Sequence, residues 1–173
     1  MRPNKTDFSK AINVLHAGGV DFIIIGGVAA MLHGLGYTTY DVDVVYARNR
    51  ENIRRLIAAL KPYNPYLRGA PPGLPFTFDE QTIRNGLNFT FVTSFGDLDL
   101  LGEVAGAGTF ADLLPHSTEI AAFGVRCRRA NLDKLIQMKR AAGRAKDFEV
   151  LGQLQALWEE KKNWPHIHPE DSK

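Results

Sequence analysis

The sequence predicts an α/β fold, in which helices flank a mixed, mostly antiparallel sheet and the C-terminal part is helical. Apolar residues alternate with others over residues 40–45, 87–92 and 97–101, as is typical of half-buried strands. Residues 119–122 and 125–129 flank Phe123-Gly124 and predict a hairpin. Beyond position 130, the apolar residues have helical spacing.

The N-terminal half is predicted to begin with a helix. Thr6 is its expected N-cap, and two glycines end it after about Ala17. The apolar run at 22–25 is the first strand, and a short helix follows the glycines that end it. Asn49 is predicted to cap the next helix, and the five prolines of residues 61–75 then predict an irregular loop.

The C-terminal part is predicted to contain two helices separated by a break. Asn131 can cap the first helix, which runs to about Ala142, and Gly143 interrupts it. The second helix is expected from about Arg144 to Lys161. We therefore predict a core of residues 1–130, a helical part of residues 131–162 packed on it, and a loose tail of residues 163–173.

Composition indicates a protein of a reducing compartment. The chain has 173 residues, a hydrophobic fraction of 45% and a single cysteine, so no disulfide can form within it. It contains no run of about 18 or more apolar residues, which a membrane-spanning helix would need. Its N-terminal residues have no apolar signal core. We expect a cytoplasmic protein that does not span a membrane.

Two aspartates on one predicted strand are the first functional signal. Side chains alternate along a strand, so Asp41 and Asp43 share one face while Val42 and Val44 point into the core. Neighbouring carboxylates repel unless a cation lies between them, and Mg²⁺ prefers such oxygen ligands. Glycines before a helix let backbone N–H groups approach phosphate, and residues 26 and 27 are both glycine. A metal beside a phosphate indicates phosphoryl or nucleotidyl transfer.

At these residues the chain resembles the nucleotidyltransferase superfamily typified by DNA polymerase beta. That family combines a strand, a Gly-Gly or Gly-Ser pair, a helix and an Asp-x-Asp strand, which Gly26, Gly27, Asp41 and Asp43 match. A third carboxylate on a later strand is implied, and we favour Asp99. Asp97 is the alternative, since it shares a strand face with Asp99. Many members of the family carry serine at the position of Gly27.

The resemblance continues near the C-terminus, so that it covers about residues 20 to 157. Lys139, Arg144, Lys146 and Asp147 resemble the Lys…Arg-x-Lys-Asp helix pair of stand-alone bacterial members, including abortive-infection-type toxins. The resemblance implies that the three basic residues hold a triphosphate and that Asp147 orients a lysine. The alternative is an ion pair between adjacent helices. Basic residues around an acidic metal site would suit an anionic substrate.

The resemblance implies a metal-dependent nucleotidyltransferase that uses Mg²⁺ or Mn²⁺ and a nucleoside triphosphate. Asp41 and Asp43 would bridge two metals, and Asp99 would complete the site for the attacking hydroxyl. Expected acceptors are hydroxyls of RNA, such as a tRNA end, or of protein, and the enzyme could be a toxin with an antitoxin partner. The alternative is a non-catalytic nucleotide-binding or antitoxin-type interaction protein with the same fold.

Overall fold

A computed structural model describes residues 5–167 of the chain. The helices within this range are α1 (Phe8–Ala17), α2 (Gly26–Leu32), α3 (Arg50–Leu60), α4 (Glu80–Asn85), α5 (Phe110–Leu113), α6 (Leu132–Ala142) and α7 (Asp147–Ile167). The strands are β1 (Phe22–Ile25), β2 (Asp41–Tyr46), β3 (Tyr66–Leu67), β4 (Asn88–Thr93), β5 (Gly96–Leu101), β6 (Glu103–Val104), β7 (Gly108–Thr109), β8 (Ser117–Ala122) and β9 (Val125–Ala130).

Seven of these strands form one mixed sheet in the order β3-β4-β5-β2-β1-β9-β8. The β2–β5 and β1–β9 pairs are parallel, and the other four pairs are antiparallel. The predicted mixed, mostly antiparallel sheet is therefore confirmed. Strands β6 and β7 form a separate two-stranded ribbon.

The buried residues of β2 and β5 determine which face of the sheet carries the aspartates. Val42 and Val44 on β2, and Leu98 and Leu100 on β5, are fully buried. Because successive side chains on a strand point to opposite faces, the aspartates between these apolar residues must lie on the other face. Helix α6 packs against α7 and α2, while α1 packs against α3.

The first helix begins one residue later than the sequence predicted. Asp7, rather than Thr6, is the N-cap of α1, since its carboxylate accepts a hydrogen bond from the Lys10 backbone N–H at 2.9 Å. Thr6 is instead buried between two strands. Its hydroxyl donates to the Tyr40 carbonyl and accepts from the Asp97 N–H at 3.0 Å, so it ties the start of β2 to that of β5.

Two other regions differ from the sequence prediction. The proline-rich segment contains a 3₁₀ turn (Lys61–Tyr63) and the edge strand β3, so it is more ordered than an irregular loop. Helix α7 starts at Asp147 and continues to Ile167, which includes residues that we assigned to the loose tail. Residues 168–173 lie outside the described part of the chain. Among the described residues, no helix has the length and apolar character that crossing a membrane requires.

Candidate active site

The parallel pairing of β2 with β5 assembles a cluster of three carboxylates. Asp43 lies directly opposite Asp99, and Asp41 lies opposite Asp97. One carboxylate oxygen from each of Asp41, Asp43 and Asp99 lies within 4.8 Å of the others. Strands β2 and β5 thus supply three carboxylate oxygens that lie close together on one face of the sheet.

Electrostatics in this cluster disfavours full ionisation. Burial raises the pKa of Asp43 to about 8, and the charges of Asp41 and Asp99 act in the same direction. Burial also raises the pKa of Asp99, although Arg68 opposes that shift. A divalent cation would relieve this repulsion, and a set of three carboxylate oxygens is the donor chemistry that Mg²⁺ or Mn²⁺ prefers. The residues present therefore fit such an ion.

Gly26 is required by the close approach of Asp43. Its φ of +63° lies in the left-handed region, which favours glycine. A Cβ at this position would also collide with the Asp43 carboxylate. The glycine turn and the acidic strand are therefore in direct contact.

Gly27 is packed against the loop that precedes β2. A Cβ at Gly27 would lie 2.5 Å from Thr39 Cβ and 2.9 Å from Tyr37 Cε1. Such distances cannot occur unless Thr39 and Tyr37 shift, so a residue with a Cβ at position 27 would require local rearrangement.

A second charged cluster links α6 to the start of α7. Asp147, which is only 4% exposed, accepts hydrogen bonds from Lys139 Nζ at 3.0 Å and Arg144 Nε at 2.7 Å. Burial alone would raise the pKa of Asp147, but the two hydrogen bonds and positive charges hold it below its usual range. The structure thus places a lysine against Asp147, and it also contains the interhelical ion pair that we considered as the alternative.

A cavity of about 560 Å³ joins the two clusters. The structure brings all the predicted site residues to its wall: Gly26, Gly27, Asp41, Asp43, Asp99, Lys139, Arg144, Lys146 and Asp147. Thr39, Met138 and Gln153 also line it. The role of the predicted site residues in binding stays a prediction, but the structure brings these acidic, glycine and basic residues together at one cavity.

Sequence reasoning missed Arg68, the basic residue closest to the acids. Its guanidinium hydrogen bonds to Asp99 and lies 3.4 Å from Asp97 and 3.7 Å from Asp41. Arg68 follows the two-residue strand β3 in the proline-rich segment, where no periodic pattern indicates which way a side chain points. Only the pairing of β3 with β4 could have identified it, and that pairing is not visible in the sequence.

Solved structures with a similar fold include two proteins of related description. LnuA, a lincosamide antibiotic adenylyltransferase crystallised with lincomycin, matches with a TM-score of 0.58 and 12% identity over 89% of this chain and 99% of its own. TM1012 from Thermotoga maritima, a candidate nucleotidyltransferase, matches with a TM-score of 0.51 and 12% identity over 88% and 97%. No protein-family model and no curated protein matches the chain by sequence.

The chain therefore shares the fold of these two proteins, one described as a nucleotidyltransferase and the other as an adenylyltransferase. Its cluster of Asp41, Asp43 and Asp99 could hold a metal ion. At 12% identity, the structural similarity shows the fold and does not identify a substrate.

Proposed function

We propose that this protein is a metal-dependent nucleotidyltransferase, which transfers a nucleoside monophosphate from a nucleoside triphosphate to an acceptor hydroxyl and releases pyrophosphate. The observation that carries the proposal is the convergence of Asp41, Asp43 and Asp99 within 4.8 Å at the wall of a cavity. The glycine turn and the basic ends of α6 and α7 lie at the same cavity. This arrangement provides oxygen ligands for a metal and positive groups for phosphate.

The acidic residues would hold and orient the reacting groups. Asp41, Asp43 and Asp99 would bind Mg²⁺ or Mn²⁺, which when bound lowers the pKa of a coordinated hydroxyl and neutralises phosphate charge. An Asp99 carboxylate oxygen would accept the proton of the attacking acceptor hydroxyl. Gly26 and Gly27 have no side chain to keep the phosphates away from the backbone.

The basic residues would hold the β- and γ-phosphates. Lys139 and Arg144 together bring two positive charges to the single carboxylate of Asp147, so a positive charge is left over. Lys146 lines the cavity and forms no ion pair with another described residue. Charge-assisted hydrogen bonds from these groups to phosphate oxygens would place the triphosphate along the start of α7.

We place the acceptor hydroxyl in RNA, with a tRNA end as the leading case and a protein hydroxyl as the second. Arg144 and Lys146 line the cavity and are exposed, which gives its rim a positive charge that suits a polyanionic acceptor. The resemblance of the α6–α7 segment to toxin-like bacterial members supports a toxin role in the cytoplasm, with an antitoxin partner.

One observation favours the alternative of a non-catalytic nucleotide-binding or antitoxin-type protein. Arg68 forms an ion pair with Asp99, and Lys139 forms one with Asp147, so these charged groups have partners within the protein when no ligand is bound. The two functions differ in one measurable product. Only the enzyme attaches a labelled nucleotide covalently to an acceptor.

The test is incubation with each labelled nucleoside triphosphate, Mg²⁺, and either total RNA or cell lysate, followed by identification of the labelled product. We expect Asp99→Asn to abolish transfer, whereas Asp97→Asn should retain much of it at saturating Mg²⁺. The reverse ranking would assign the third carboxylate to Asp97. If the protein binds triphosphate but labels neither RNA nor protein, the non-catalytic alternative is correct.

Metal binding is tested separately from transfer. Asp43→Asn should weaken Mn²⁺ binding strongly while the circular dichroism spectrum stays unchanged, because it removes one of the three converging donors. An unchanged Mn²⁺ titration in this variant would refute the proposed metal site.

A further inference from the structure

Arg68 lies at one end of a row of side chains that crosses four strands. The backbone N–H of Arg68 donates to the Thr90 carbonyl at 2.9 Å, which places Arg68, directly after β3, beside Thr90 on β4. Thr90 lies opposite Asp99 on β5, and Asp99 lies opposite Asp43 on β2. The row therefore runs from a cation at the sheet edge to the centre of the acidic cluster.

The arginine side chain reaches across β4 to the acids. Adjacent strands are about 4.8 Å apart, so the guanidinium must extend over a full strand to touch β5. The short side chain of Thr90 occupies the strand that Arg68 crosses. The guanidinium also lies 3.4 Å from the Phe91 carbonyl, while its side chain remains 30% exposed.

The guanidinium and a divalent metal would share carboxylates. Arg68 Nη2 donates to Oδ1 of Asp99, and Nη1 lies 3.7 Å from Oδ2 of Asp41. Asp41 and Asp99 are two of the three residues whose carboxylate oxygens converge. A guanidinium and a divalent cation that share these carboxylates repel each other, so each weakens the binding of the other.

Asp97 offers the arginine a second position. It lies opposite Asp41 and on the same strand face as Asp99, but outside the group of three converging donors. Arg68 Nε is 3.4 Å from Asp97 Oδ2. A guanidinium that leaves Asp41 and Asp99 can therefore keep an anionic partner without any movement of the backbone, which is fixed to β4.

We propose that Arg68 is an internal cation that competes with the metal for Asp41 and Asp99, and that Asp97 is the positioning residue that retains it once the metal is bound. The inference rests on the proposed function, because it assumes that the three converging carboxylates bind a divalent ion. It gives separate roles to the two neighbouring aspartates of β5. Asp99 binds the metal, and Asp97 binds the arginine.

The first test is a calorimetric Mn²⁺ titration of the full-length protein, without nucleotide. A hydrogen bond between charged groups contributes about 1.5–3 kcal/mol, which corresponds to roughly 10–100-fold in affinity. Arg68→Ala should therefore tighten Mn²⁺ binding at least about tenfold. Arg126→Ala is the matched control, since it removes the same charge from an exposed pair with Glu119 on the β8–β9 hairpin. It should leave Mn²⁺ affinity unchanged.

Arg68→Gln protects the test against misfolding, since it keeps an aliphatic stem and a neutral donor. It should also tighten Mn²⁺ binding, by less than Arg68→Ala does. If neither variant binds Mn²⁺ more tightly than the wild type, the competition is refuted. If neither the wild type nor either Arg68 variant binds Mn²⁺, the proposed metal site and with it the proposed function fail instead, so the two failures are distinguishable.

A double-mutant cycle tests the role of Asp97. Asp97→Asn should weaken Mn²⁺ binding more strongly in the wild-type background than in the Arg68→Ala background, because only the former has an arginine to retain. Equal weakening in both backgrounds would show that Asp97 acts on the metal directly, and it would overturn the assigned role.

Discussion

Replacement of Asp43 by asparagine should stabilise the metal-free protein, although it removes a native side chain from the site. The pKa of Asp43 is raised from 3.8 to about 8 in the folded protein. Between these values the folded protein holds a proton that the unfolded chain has released. Stability is therefore highest below the lower value and falls as the pH rises toward the upper one. Asparagine is neutral in both states, so it removes this loss.

The magnitude follows from proton linkage and from charge repulsion. One bound proton changes the free energy of unfolding by at most about 1.4 kcal/mol per pH unit. Two carboxylate charges at the 4.8 Å limit of this cluster repel by about 3.5 kcal/mol at an effective dielectric constant of about 20. Because the acidic cluster is partly exposed and Arg68 offsets part of the charge, we expect Asp43→Asn to gain about 1–3 kcal/mol at pH 8.

Urea denaturation in the presence of a chelator, from pH 4 to pH 9, measures this difference. The stability curves of the wild type and Asp43→Asn should diverge as the pH rises toward about 8 and run parallel above it. Adding Mn²⁺ is the internal control, since it should stabilise the wild type and have little effect on Asp43→Asn. Stability curves that stay parallel throughout the range would refute the reasoning. So would a stability difference, Asp43→Asn minus wild type, that is smaller at pH 8 than at pH 4.

Three further substitutions test other parts of the site. Gly27→Ser should lower the free energy of unfolding by about 1–3 kcal/mol, the usual cost of overpacking, because the serine Cβ would collide with Thr39. An unchanged denaturation midpoint would show that the loop before β2 moves aside without cost. Asp147→Asn should lower stability at neutral pH by about 1.5–3 kcal/mol, because it breaks charged hydrogen bonds. This loss should shrink as the pH falls below 3.8, the usual aspartate pKa, and through the lowered pKa of Asp147 in the folded protein; a pH-independent difference would contradict this. In an equilibrium titration, Lys146→Ala should weaken the binding of a nucleoside triphosphate roughly 10–100-fold but hardly affect the binding of the monophosphate. Equal small effects on both nucleotides would show that Lys146 has only a structural role.

Local patterns predicted most of the fold because they are short-range signals. The run at 22–25, the alternation at 97–101 and the hairpin around Phe123-Gly124 each indicate an element without knowledge of the rest of the chain. Helix α4 and strand β3 carry no such signal. Helix α4 has six residues, and β3 has two, among prolines, so tertiary contacts rather than propensity decide their structure.

The N-cap of α1 shows a limit of local reasoning. Thr6 and Asp7 are both good N-caps, and the sequence alone does not choose between them. The choice depends on the distant β5, since the Thr6 hydroxyl accepts a hydrogen bond from Asp97 N–H and is no longer free to cap the helix. A long-range contact thus shifts a helix boundary by one residue.

In the candidate site too, the sequence predicts what local alternation determines and misses what strand pairing determines. Asp41 and Asp43 follow from alternation along one strand, and Asp99 was chosen over Asp97 by resemblance rather than by geometry. Both later aspartates lie on one face of β5, so periodicity could not separate them. The parallel register with β2 is what sets Asp99 beside Asp43. Arg68 was missed for the same reason, since only strand pairing brings it to the acids.

The two ion-pair clusters of the cavity differ in how readily they can exchange partners. The Asp147 side chain is 6% exposed and is held by two cations, whereas the Arg68 side chain is 30% exposed and hydrogen bonds to one carboxylate with two others nearby. Separating a buried pair leaves an uncompensated charge and is strongly destabilising. Arg68, by contrast, can leave Asp99 and still contact Asp97 and water. Ligand binding should therefore rearrange the cluster at Arg68 and leave the one at Asp147 intact. Under the proposed function, Asp147 would hold Lys139 in place for phosphate, while Arg68 would yield its carboxylates to the metal.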